Sequence, residues 1–579
     1  AGIGSINNSK FIINKYASNK FESGIEKLEN FIGNHNLSNI SIGHTRWATH
    51  GGKTDYNSHP HISFDRKFIL VHNGIIENYL TLKHDLEKKD IHFQSDTDTE
   101  VIVNLLAYIY QQSKNISESI EKTIRKLEGT WGLCILCIDD ENSIYCTRNG
   151  SPLLVGTNSD IGMIVSEQSA FCNRINNYIV LKNNDICCLT KENKTITMKT
   201  RFLNYLYKDV ISSKLILSPD PFKHWTLREI FEQSESSLRA ISLGARILSN
   251  NSVKLGGLVP FENTIVNLDN LIILGCGTSY FAGLYGSHFF RDLCNFNVVN
   301  VFDGAEFEEY HIPNIGTTGL LLLSQSGETK DLHRCIEIAK SKNIFMIGVV
   351  NVVDSMISRE VNCGCYLNAG REVGVASTKS FTSQAILLSI IAIWISEKKN
   401  LNLHKRTKYI HDLRNLSNDI LCLLKKLDNS IHKHISIFQN HSSCFLLGKG
   451  QGEAIAKEGA LKIKEISYIH AEGYSSSSLK HGPFALLNEG FPIVLISPCD
   501  KNYSKNLNAF EELKSRGVNI LFITDDLTIT ENVIHIPSNP TYSYLLSIIP
   551  IQLLAYHLSV SKNINPDMPK NLAKVVTVE

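Results

Sequence analysis

Residues 270–279 read NLIILGCGTS, and residues 319–329 read GLLLLSQSGET. In each stretch, a short continuous run of apolar residues is followed by a turn rich in glycine or serine and then by a helical pattern. Strands that are buried on both faces have such unbroken apolar runs, and they occur in parallel sheets covered by helices. The two stretches therefore predict a doubly wound α/β domain.

The same order of strand, turn and helix returns in the last third of the chain. Residues 444–447 lead through the glycines and lysine at 448–450 into a helical pattern over 454–466. Residues 492–496 lead into a second helical pattern over 507–515. We therefore expect two copies of one α/β unit.

The first part of the chain has a different pattern. Short β-rich runs at 68–71, 132–138 and 178–181 alternate with helical patterns at 98–110 and 116–127, which predicts an α+β domain. The domain limits that follow are 1–205 for the α+β domain, 206–240 for a linker, 241–400 and 401–562 for the two α/β copies, and 563–579 for a C-terminal tail.

The composition of the chain excludes several classes of protein. Its 579 residues are enough for three or four domains of roughly 150 residues each. The 58 Lys and Arg residues almost balance the 57 Asp and Glu residues, so no overall charge attracts nucleic acid or a membrane surface. The longest apolar run, 385–395, is too short to cross a bilayer and predicts a buried helix. Fourteen scattered cysteines favour a reduced, cytoplasmic enzyme, for which we expect no metal and no organic cofactor.

Polar residues near the ends of the N-terminal strands can bind an amino acid. Arg46 can pair with a carboxylate, and Asp98 can hold an ammonium group. The side chain of Asn73 and the backbone N–H of Gly74 can stabilise the oxyanion of a tetrahedral acyl intermediate. Taken singly, these residues also have structural explanations, with Asn73 and Gly74 as a hairpin turn, Asp98 as a helix N-cap and Arg46 as a surface charge.

Residues 324–329, Ser-Gln-Ser-Gly-Glu-Thr, form a candidate phosphate site. They lie between a predicted strand and a predicted helix, where hydroxyl and backbone N–H groups meet the positive end of the helix. The sequence is neither a Walker loop nor a dinucleotide motif, which favours a phosphate monoester over a nucleotide. Thr278, Ser279 and Ser377 supply further small donors, for which helix capping is an equally good explanation.

Candidate groups for proton transfer and covalent catalysis lie far apart in the sequence. Glu458, Lys462 and Glu465 recur at spacings of four and three, which places them on one face of a helix. A carboxylate beside a lysine can move a proton, although an ordinary ion pair on a solvated face explains the same spacing. Lys574 can form a Schiff base if it is desolvated, but an isolated lysine near a chain end is usually solvated.

Several motifs together resemble one enzyme family. Residues 45–51, 72–78 and 97–100 resemble the glutaminase half of the glutamine:fructose-6-phosphate aminotransferase (isomerising) family, also called glucosamine-6-phosphate synthases. The rest of the chain resembles that family's paired sugar-isomerase (SIS) domains. The matching motifs are 276–279, 324–329, 374–379, 464–472, 479–483 and 571–579. They occur in one order over nearly the whole chain, which is far more specific than any single motif.

The resemblance implies an enzyme with two sites. Glutamine would be hydrolysed in an N-terminal-nucleophile hydrolase domain, and the ammonia would pass through an internal channel to fructose 6-phosphate, giving glucosamine 6-phosphate. By similarity, Asn73 and Gly74 would form the oxyanion hole, and Trp47 would gate the channel. The residues implied for glutamine binding are Arg46, Trp47, Thr49, His50 and Asp98.

The resemblance also implies roles in the SIS domains. Lys574 would form the Schiff base, and His481 would assist ring opening. Glu465, assisted by Lys462, would move a proton between C1 and C2. The residues implied for binding of the sugar phosphate are Thr278, Ser279, Ser324, Gln325, Ser326, Thr329 and Ser377.

Two further expectations concern the ends of the chain and its assembly. The family's nucleophile is a cysteine at the mature N-terminus, and the printed sequence begins with Ala1, so we expect an incomplete first strand and an inactive glutaminase in this chain. In the family the ring-opening histidine comes from the partner subunit, which implies a homodimer or homotetramer.

Two alternatives to the glutamine-dependent enzyme stay open. The first is a synthase that uses free ammonia, or an isomerase alone. The second is a regulatory protein that only binds a sugar phosphate. Glu465, His481 and Lys574 argue against the second alternative, because a binding protein needs no acid–base or Schiff-base residues.

Overall fold

The computed structural model describes residues 1–18, 22–35, 38–46, 52, 54–192, 195–210, 218–428 and 430–574. Contacts within the chain divide it into unit 1, Ala1–Ile216, and unit 2, Leu217–Thr577. The division falls inside the interval 206–240 that the sequence predicts as a linker.

Unit 1 is built from antiparallel strands with helices. Its strands are β1 (Gly2–Asn7), β2 (Lys10–Lys15), β3 (Ser41–His44), β4 (His61–Ile62), β5 (Phe68–Ile76), β6 (Gly129–Cys137), β7 (Asp140–Asn149), β8 (Leu154–Thr157), β9 (Gly162–Val165), β10 (Asn177–Val180), β11 (Ile186–Glu192), β12 (Thr195–Thr200) and β13 (Lys208–Asp209). Its helices are α1 (Gly24–Glu29), α2 (Tyr79–Glu87), α3 (Asp98–Ser113) and α4 (Ile116–Ile124). Among the described residues the sheet orders are β2-β1-β3, β13-β10-β8-β9 and β12-β11-β7-β6-β5-β4.

Strand β5 shows how the largest sheet of unit 1 is buried on both faces. Phe68 and Leu70 belong to the core formed with the helices, whereas Ile69 and Val71 belong to a second core that includes Ile42 of β3. Successive side chains of a strand alternate between its faces, so one continuous apolar run serves both cores. The α+β class predicted for this part of the chain is confirmed.

Unit 2 contains two parallel sheets with helices around them. Its strands are β14 (Asn270–Gly275), β15 (Val298–Asp303), β16 (Thr318–Ser324), β17 (Phe345–Val350), β18 (Cys363–Tyr366), β19 (Ser443–Gly448), β20 (His470–Ser475), β21 (Pro492–Ile496), β22 (Asn519–Thr524) and β23 (Val533–His535). Its helices are α5 (Trp225–Phe231), α6 (Gln233–Ala240), α7 (Glu262–Val266), α8 (Thr278–Leu293), α9 (Lys330–Ser341), α10 (Met356–Glu360), α11 (Lys379–Lys398), α12 (Leu403–Leu427), α13 (Gln451–Ser467), α14 (Tyr503–Lys514), α15 (Ser543–Leu546) and α16 (Ile548–Ser561).

The two sheets of unit 2 have the same topology. Their orders are β15-β14-β16-β17-β18 and β20-β19-β21-β22-β23, and every pairing is parallel. In each sheet the second and third strands of the chain flank the first, so the strand order reverses at the first strand, as in doubly wound folds that bind ligands at that point. The predicted pair of doubly wound domains is confirmed, and α5 and α6, inside the predicted linker, pack within unit 2.

Among the described residues, two helical stretches are long and apolar enough to cross a membrane by length and composition alone: α11, Lys379–Lys398, and the consecutive helices α15 and α16, Ser543–Ser561. The most apolar window is 94% buried inside the protein in the first and 89% buried in the second. They therefore have the burial of core helices. The first contains the run 385–395, which the sequence predicts as a buried helix.

Candidate active site

Asn73 and Gly74, the predicted oxyanion hole, lie inside β5, so the hairpin-turn explanation for them is wrong. Gly74 has φ +139°, and a Cβ there would lie 2.1 Å from the carbonyl oxygen of Thr130, so glycine is required. The amide oxygen of Asn73 is 2.8 Å from His44 Nε2, and burial lowers the pKa of His44 to about 4. A neutral His44 that donates from Nε2 leaves the amide nitrogen of Asn73 as the group that can donate to an oxyanion.

The structure places the charges of Asp98 and Arg46 within electrostatic range of each other. Asp98 is buried in the first turn of α3, and the N-cap is Thr97, so the N-cap explanation for Asp98 is wrong. Asp98 Oδ2 accepts a 2.9 Å hydrogen bond from the N–H of Ile76. Burial lowers the pKa of the Arg46 guanidinium, and the charge of Asp98 opposes this shift. Three other residues predicted for this site lie outside the described residues: Trp47, Thr49 and His50.

Residues 324–329, which we call the phosphate loop, connect β16 to α9. Ser324 Oγ is 2.9 Å from Thr329 Oγ1 and accepts a 2.9 Å hydrogen bond from the N–H of Gly327. Ser326 Oγ accepts the N–H of the residue two positions later at 3.1 Å. Thr329 is the N-cap of α9, but its side chain makes no capping hydrogen bond. The loop therefore brings three hydroxyl groups to the positive end of a helix, which is an arrangement that suits a phosphate.

The other residues predicted to hold the sugar phosphate lie at the same edge of the first sheet. Strands β14 and β16 are neighbours, so Thr278 and Ser279, which follow β14, lie beside the phosphate loop at the carboxyl ends of the strands. The backbone carbonyl oxygen of Gln325 accepts a 3.3 Å hydrogen bond from the N–H of Asn351, which directly follows β17. Ser279 Oγ accepts a 2.9 Å hydrogen bond from Gln384 Nε2.

Helix α13 carries a compact group of charges. Lys462 Nζ is 2.5 Å from Glu465 Oε2 and 3.5 Å from Glu458 Oε1, and it donates a 2.9 Å hydrogen bond to Thr278 Oγ1. The Lys462 and Glu458 side chains are 1% and 0% exposed, whereas that of Glu465 is 19% exposed. The explanation of these residues as an ion pair on a solvated face is therefore wrong.

The protonation of this group follows from its burial and its charges. Burial raises the pKa of Glu458 to about 8. Burial would lower the pKa of Lys462, but the carboxylates of Glu458 and Glu465 raise it overall. Lys462 is therefore a buried cation, and Glu465 is the carboxylate of this group that a substrate can reach.

Lys574 lies in a second charged group. Its Nζ donates to Glu372 Oε2 at 2.7 Å and to Ser377 Oγ at 3.1 Å, and its side chain is 18% exposed, so the explanation of a solvated terminal lysine is wrong. Burial would raise the pKa of Glu372, but the Lys574 ammonium lowers it to about 2. The charge of Glu372 also raises the pKa of Lys462. The Glu372 carboxylate thus acts electrostatically on both Lys574 and Lys462.

Glu372 is a site residue that sequence reasoning missed. It is buried and accepts hydrogen bonds from the N–H groups of Thr378 and Ser380 at 2.9 and 3.1 Å. A single glutamate in a loop has no spacing that distinguishes it from a surface residue. The available signal was its position two residues before Gly374, where the motif 374–379 begins.

His481 lies apart from these groups within the chain. It ends a short 3₁₀ turn, Ser478–His481, in which Leu479 is buried and His481 is exposed. It makes no hydrogen bond to Glu465 or Lys574 among the contacts of the described residues. Its role in ring opening stays a prediction.

A cavity of about 710 Å³ opens at the opposite edge of the first sheet. Its lining includes Thr318 and Phe345, where β16 and β17 begin, and it contains none of the candidate site residues. In open parallel sheets, ligands bind outside the carboxyl ends of the strands. The candidate groups at the carboxyl edge therefore lie where ligands bind in sheets of this kind.

Comparison with known proteins agrees with this geometry. A family model described as "SIS domain" matches residues 264–394 and 436–562, and one described as "Glutamine amidotransferase domain" matches residues 44–173. A protein of Acanthamoeba polyphaga mimivirus named probable glutamine–fructose-6-phosphate aminotransferase (isomerizing) is 43% identical over 590 residues, covering 100% of this chain and 95% of that protein. The protein of Chlorobaculum tepidum named glutamine–fructose-6-phosphate aminotransferase (isomerizing) is 35% identical with the same coverage.

The chain belongs to the glutamine–fructose-6-phosphate aminotransferase (isomerizing) family. A solved structure of the C-terminal domain of a glucosamine-fructose-6-phosphate aminotransferase from Francisella tularensis covers 61% of this chain and 100% of that chain, with a TM-score of 0.57 and 32% identity. The family resemblance noted in the sequence is therefore confirmed, with the glutamine amidotransferase domain in unit 1 and both SIS domains in unit 2.

Proposed function

We propose that this chain converts fructose 6-phosphate to glucosamine 6-phosphate with nitrogen from glutamine, the first step of hexosamine synthesis. Its family membership and its two kinds of domain support this activity. The observation that carries the proposal for unit 2 is that both candidate groups contact residues predicted for phosphate binding. Lys462, paired with Glu465, donates to Thr278 at 2.9 Å, and Lys574, paired with Glu372, donates to Ser377 at 3.1 Å.

In the proposed reaction the phosphate loop and its neighbours bind the phosphate of the sugar. The amine of Lys574 adds to the C2 carbonyl of the open-chain ketose, and the carbonyl oxygen leaves as water with the proton that the ammonium gives up, which forms an iminium ion. Ammonia then adds to C2 and displaces the amine of Lys574, so the sugar carries the new nitrogen as an iminium that makes the hydrogens on C1 acidic. Glu465 accepts a proton from C1 and returns it to C2. The cation of Lys462 lies 2.5 Å from Glu465 Oε2 and holds this side chain in place. The residues proposed for phosphate binding are Thr278, Ser279, Ser324, Gln325, Ser326, Thr329 and Ser377.

Unit 1 is proposed to release ammonia from glutamine. Arg46 and Asp98 bind the carboxylate and ammonium groups of the amino acid. Asn73 and Gly74 stabilise the oxyanion of the tetrahedral intermediate. The proposal also includes Thr49 and His50 in glutamine binding and Trp47 as the gate of the ammonia channel.

The assembly is proposed to be a homodimer or homotetramer in the cytoplasm, with His481 acting in the partner subunit. The exposure of His481 supports this, because a catalytic histidine on the surface of its own chain needs a neighbour to complete the site.

One experiment tests the activity. Fructose 6-phosphate is supplied with either glutamine or ammonium to the printed chain and to a chain extended upstream, and glucosamine 6-phosphate is measured. We expect both chains to make glucosamine 6-phosphate with ammonium, and the extended chain to make it with glutamine as well. Failure of both chains with both nitrogen donors would contradict the proposal, and Lys574→Ala is the control that must remove synthesis while sparing glutamine hydrolysis in the extended chain.

A further inference from the structure

Lys574 belongs to a segment, residues 563–574, that contains no helix or strand among its described residues; we call it the tail. The lysine lies 13 residues after α16 ends at Ser561. A flexible segment of this length would leave its amine free over many positions, and each restriction of that freedom needs a contact with another element. The contacts that hold the tail therefore decide where the amine of Lys574 lies.

Asp567 makes the densest set of these contacts. Its Oδ2 accepts the N–H of Trp225 at 2.8 Å, and its Oδ1 accepts the N–H and the hydroxyl of Thr226 at 2.7 and 2.8 Å. Trp225 and Thr226 are the first two residues of α5, whose own N-cap, His224, makes no side-chain capping bond. The carboxylate of Asp567 thus caps a helix more than 300 residues away in sequence, where a negative charge is also favoured by the helix dipole.

The same point of the tail is bonded to the loop that holds the amine. The carbonyl oxygen of Asp567 accepts the N–H of Val375 at 3.2 Å. Val375 lies between Glu372 and Ser377, the two hydrogen-bond partners of Lys574. Asp567 and Lys574 therefore bind the same short loop, one at each end of the intervening tail.

Helix α5 is joined to that loop as well. Glu229, in its second turn, accepts the N–H groups of Val373 and Gly374 at 2.5 and 3.3 Å. Each of these three segments, α5, the loop and the tail, is thus hydrogen-bonded to the other two. Asp567 is the tail residue that touches both of the others.

A further contact relates the tail to the acid–base helix. The N–H of Lys570 donates to the hydroxyl of Tyr468 at 2.7 Å, and the Lys570 ammonium lies 4.5 Å from the centre of the same ring. Tyr468 is the C-cap of α13, which carries Glu465. Between its bonds at Asp567 and at Lys574, the tail thus also contacts the helix that supplies the proton-transfer group.

We propose that Asp567 is a positioning residue for Lys574: by capping α5 and bonding Val375, it fixes the tail so that the amine meets the carbonyl of the bound ketose. This inference rests on the proposed function, since it takes Lys574 as the Schiff-base residue. A group that approaches its target from a fixed position reacts as part of one molecule, and a displacement of about 1 Å can cost on the order of a hundredfold in rate. Loss of the cap should therefore slow formation of the iminium more than it weakens binding of the sugar phosphate.

The test measures the rate of iminium formation and the affinity for a sugar phosphate separately, both in the full chain. Fructose 6-phosphate is added with sodium cyanoborohydride, whose hydride reduces the iminium of Lys574 to a stable secondary amine after loss of water. The rate at which this adduct forms is followed by mass spectrometry, and the modified lysine is identified by peptide mapping. Binding is measured by calorimetry with the hexitol 6-phosphate, which lacks a carbonyl and cannot react. We expect Asp567→Ala to lower the adduct rate on the order of ten- to a hundredfold and the hexitol affinity by less than about threefold.

Two more variants complete the design. Asp567→Asn keeps an oxygen that can cap the helix, and we expect it to lower the rate of adduct formation about threefold. If the alanine variant does not fold, the asparagine variant tests the inference in its place. Asp269→Ala is the matched control. Asp269 likewise accepts the N–H and the hydroxyl of one threonine, Thr317, at 2.8 and 3.0 Å, but at the opposite edge of the first sheet. We expect it to react at the wild-type rate.

The possible outcomes are distinguishable. A wild-type adduct rate in both Asp567 variants overturns the inference, as does an equal loss of adduct rate and of hexitol affinity, which would indicate general damage. If the wild-type protein forms no adduct at Lys574, the proposed Schiff-base role itself fails. Slower adduct formation with hexitol binding retained, and restored in part by asparagine, supports the inference.

Discussion

Helices α8 and α13 begin in the same way in the two SIS copies and are then used differently. Each follows the first strand of its sheet, and each has an N-cap glycine of the same unusual conformation, Gly277 at φ 53° and ψ −124° and Gly450 at φ 62° and ψ −121°. The shared turn is a structural trace of the repeat that the sequence predicts.

Beyond the turn, equivalent positions hold residues of opposite character. Eight residues after the glycine, α8 has Tyr285 and α13 has Glu458; twelve residues after it, α8 has Phe289 and α13 has Lys462. All four side chains are buried. The first copy uses these positions for aromatic packing, whereas the second uses them for a buried glutamic acid and a buried lysine cation beside Glu465.

At the phosphate loop the roles of the two copies are reversed, because here the first copy has the residues suited to the ligand and the second does not. The corresponding turn of the second copy, after β21, is Ser497-Pro-Cys-Asp500. Asp500 Oδ1 accepts the N–H of Asn502, the N-cap of α14, at 2.8 Å, and Oδ2 accepts the hydroxyl of Tyr544 at 3.0 Å. A carboxylate of the protein itself thus lies beside this helix, where it would repel a phosphate. Under the proposed function, the first copy supplies phosphate binding and the second supplies proton transfer.

The largest expected effect comes from the helix of the second copy. Glu465→Gln removes the proposed base, and we expect kcat with fructose 6-phosphate and ammonium to fall by about 10²–10⁴-fold, with KM within about threefold of wild type. Steady-state assays of glucosamine 6-phosphate give both constants. Glu453→Gln is the matched control, because Glu453 lies on the same helix in a half-exposed pair with Lys457. A rise in KM with kcat unchanged would assign Glu465 to binding and contradict the division between the copies.

A smaller effect is expected from the phosphate loop of the first copy. Ser324→Ala removes a hydroxyl from the proposed phosphate site, and a hydrogen bond to a charged group contributes roughly 1.5–3 kcal/mol, so we expect the affinity for the hexitol 6-phosphate to fall by about ten- to a hundredfold. Calorimetry should give one bound equivalent per chain in the wild-type protein. Ser497→Ala changes the equivalent, fully buried serine of the second copy and should leave affinity and stoichiometry unaltered. Two bound equivalents would show that the second copy also binds phosphate.

The sequence predicts those parts of this comparison that depend on local pattern. The unbroken run before Ser324 predicts a buried parallel strand, and the spacing of Glu458, Lys462 and Glu465 predicts their common face. Burial could not be predicted, because the same spacing is found on solvated helices. The contact of Lys574 with Glu372 spans 202 residues and depends on how the tail packs, which no local pattern records.

A third prediction concerns the buried charges that distinguish α13 from α8. The folded protein keeps Glu458 protonated up to about pH 8, whereas the unfolded chain releases that proton near pH 4.5. Because the pKa of Glu458 is higher in the folded than in the unfolded protein, its protonation stabilises the fold. This contribution is fully present below pH 4.5 and is lost as the pH rises through 8. We therefore expect the free energy of unfolding to fall with pH relative to Glu458→Gln, on the order of 1 kcal/mol per pH unit between pH 5 and 8.

Urea denaturation of the two proteins across this range tests the sign of the effect. Glu453→Gln, the half-exposed glutamate of the same helix, should give a curve parallel to the wild type. If Glu458→Gln is also parallel, Glu458 is ionised in the folded protein and the buried group of charges is arranged differently from the structure.

The smallest expected effects are those in which the two copies should agree. Gly277→Ala and Gly450→Ala each put a Cβ on a backbone with positive φ, and we expect each to lower the free energy of unfolding by about 1–2 kcal/mol. At Gly277 the new Cβ meets nothing within 4 Å, whereas at Gly450 it lies 3.2 Å from Asn502 Nδ2, so the second loss should be slightly larger. Gly256→Ala, at an exposed glycine whose Cβ also meets nothing and whose φ is not positive, should be neutral. Losses at both glycines would show that the turn is kept in both copies for the fold itself, independently of which copy supplies the chemistry. A loss at one glycine alone would contradict this, because the other copy would then tolerate a side chain at the same turn.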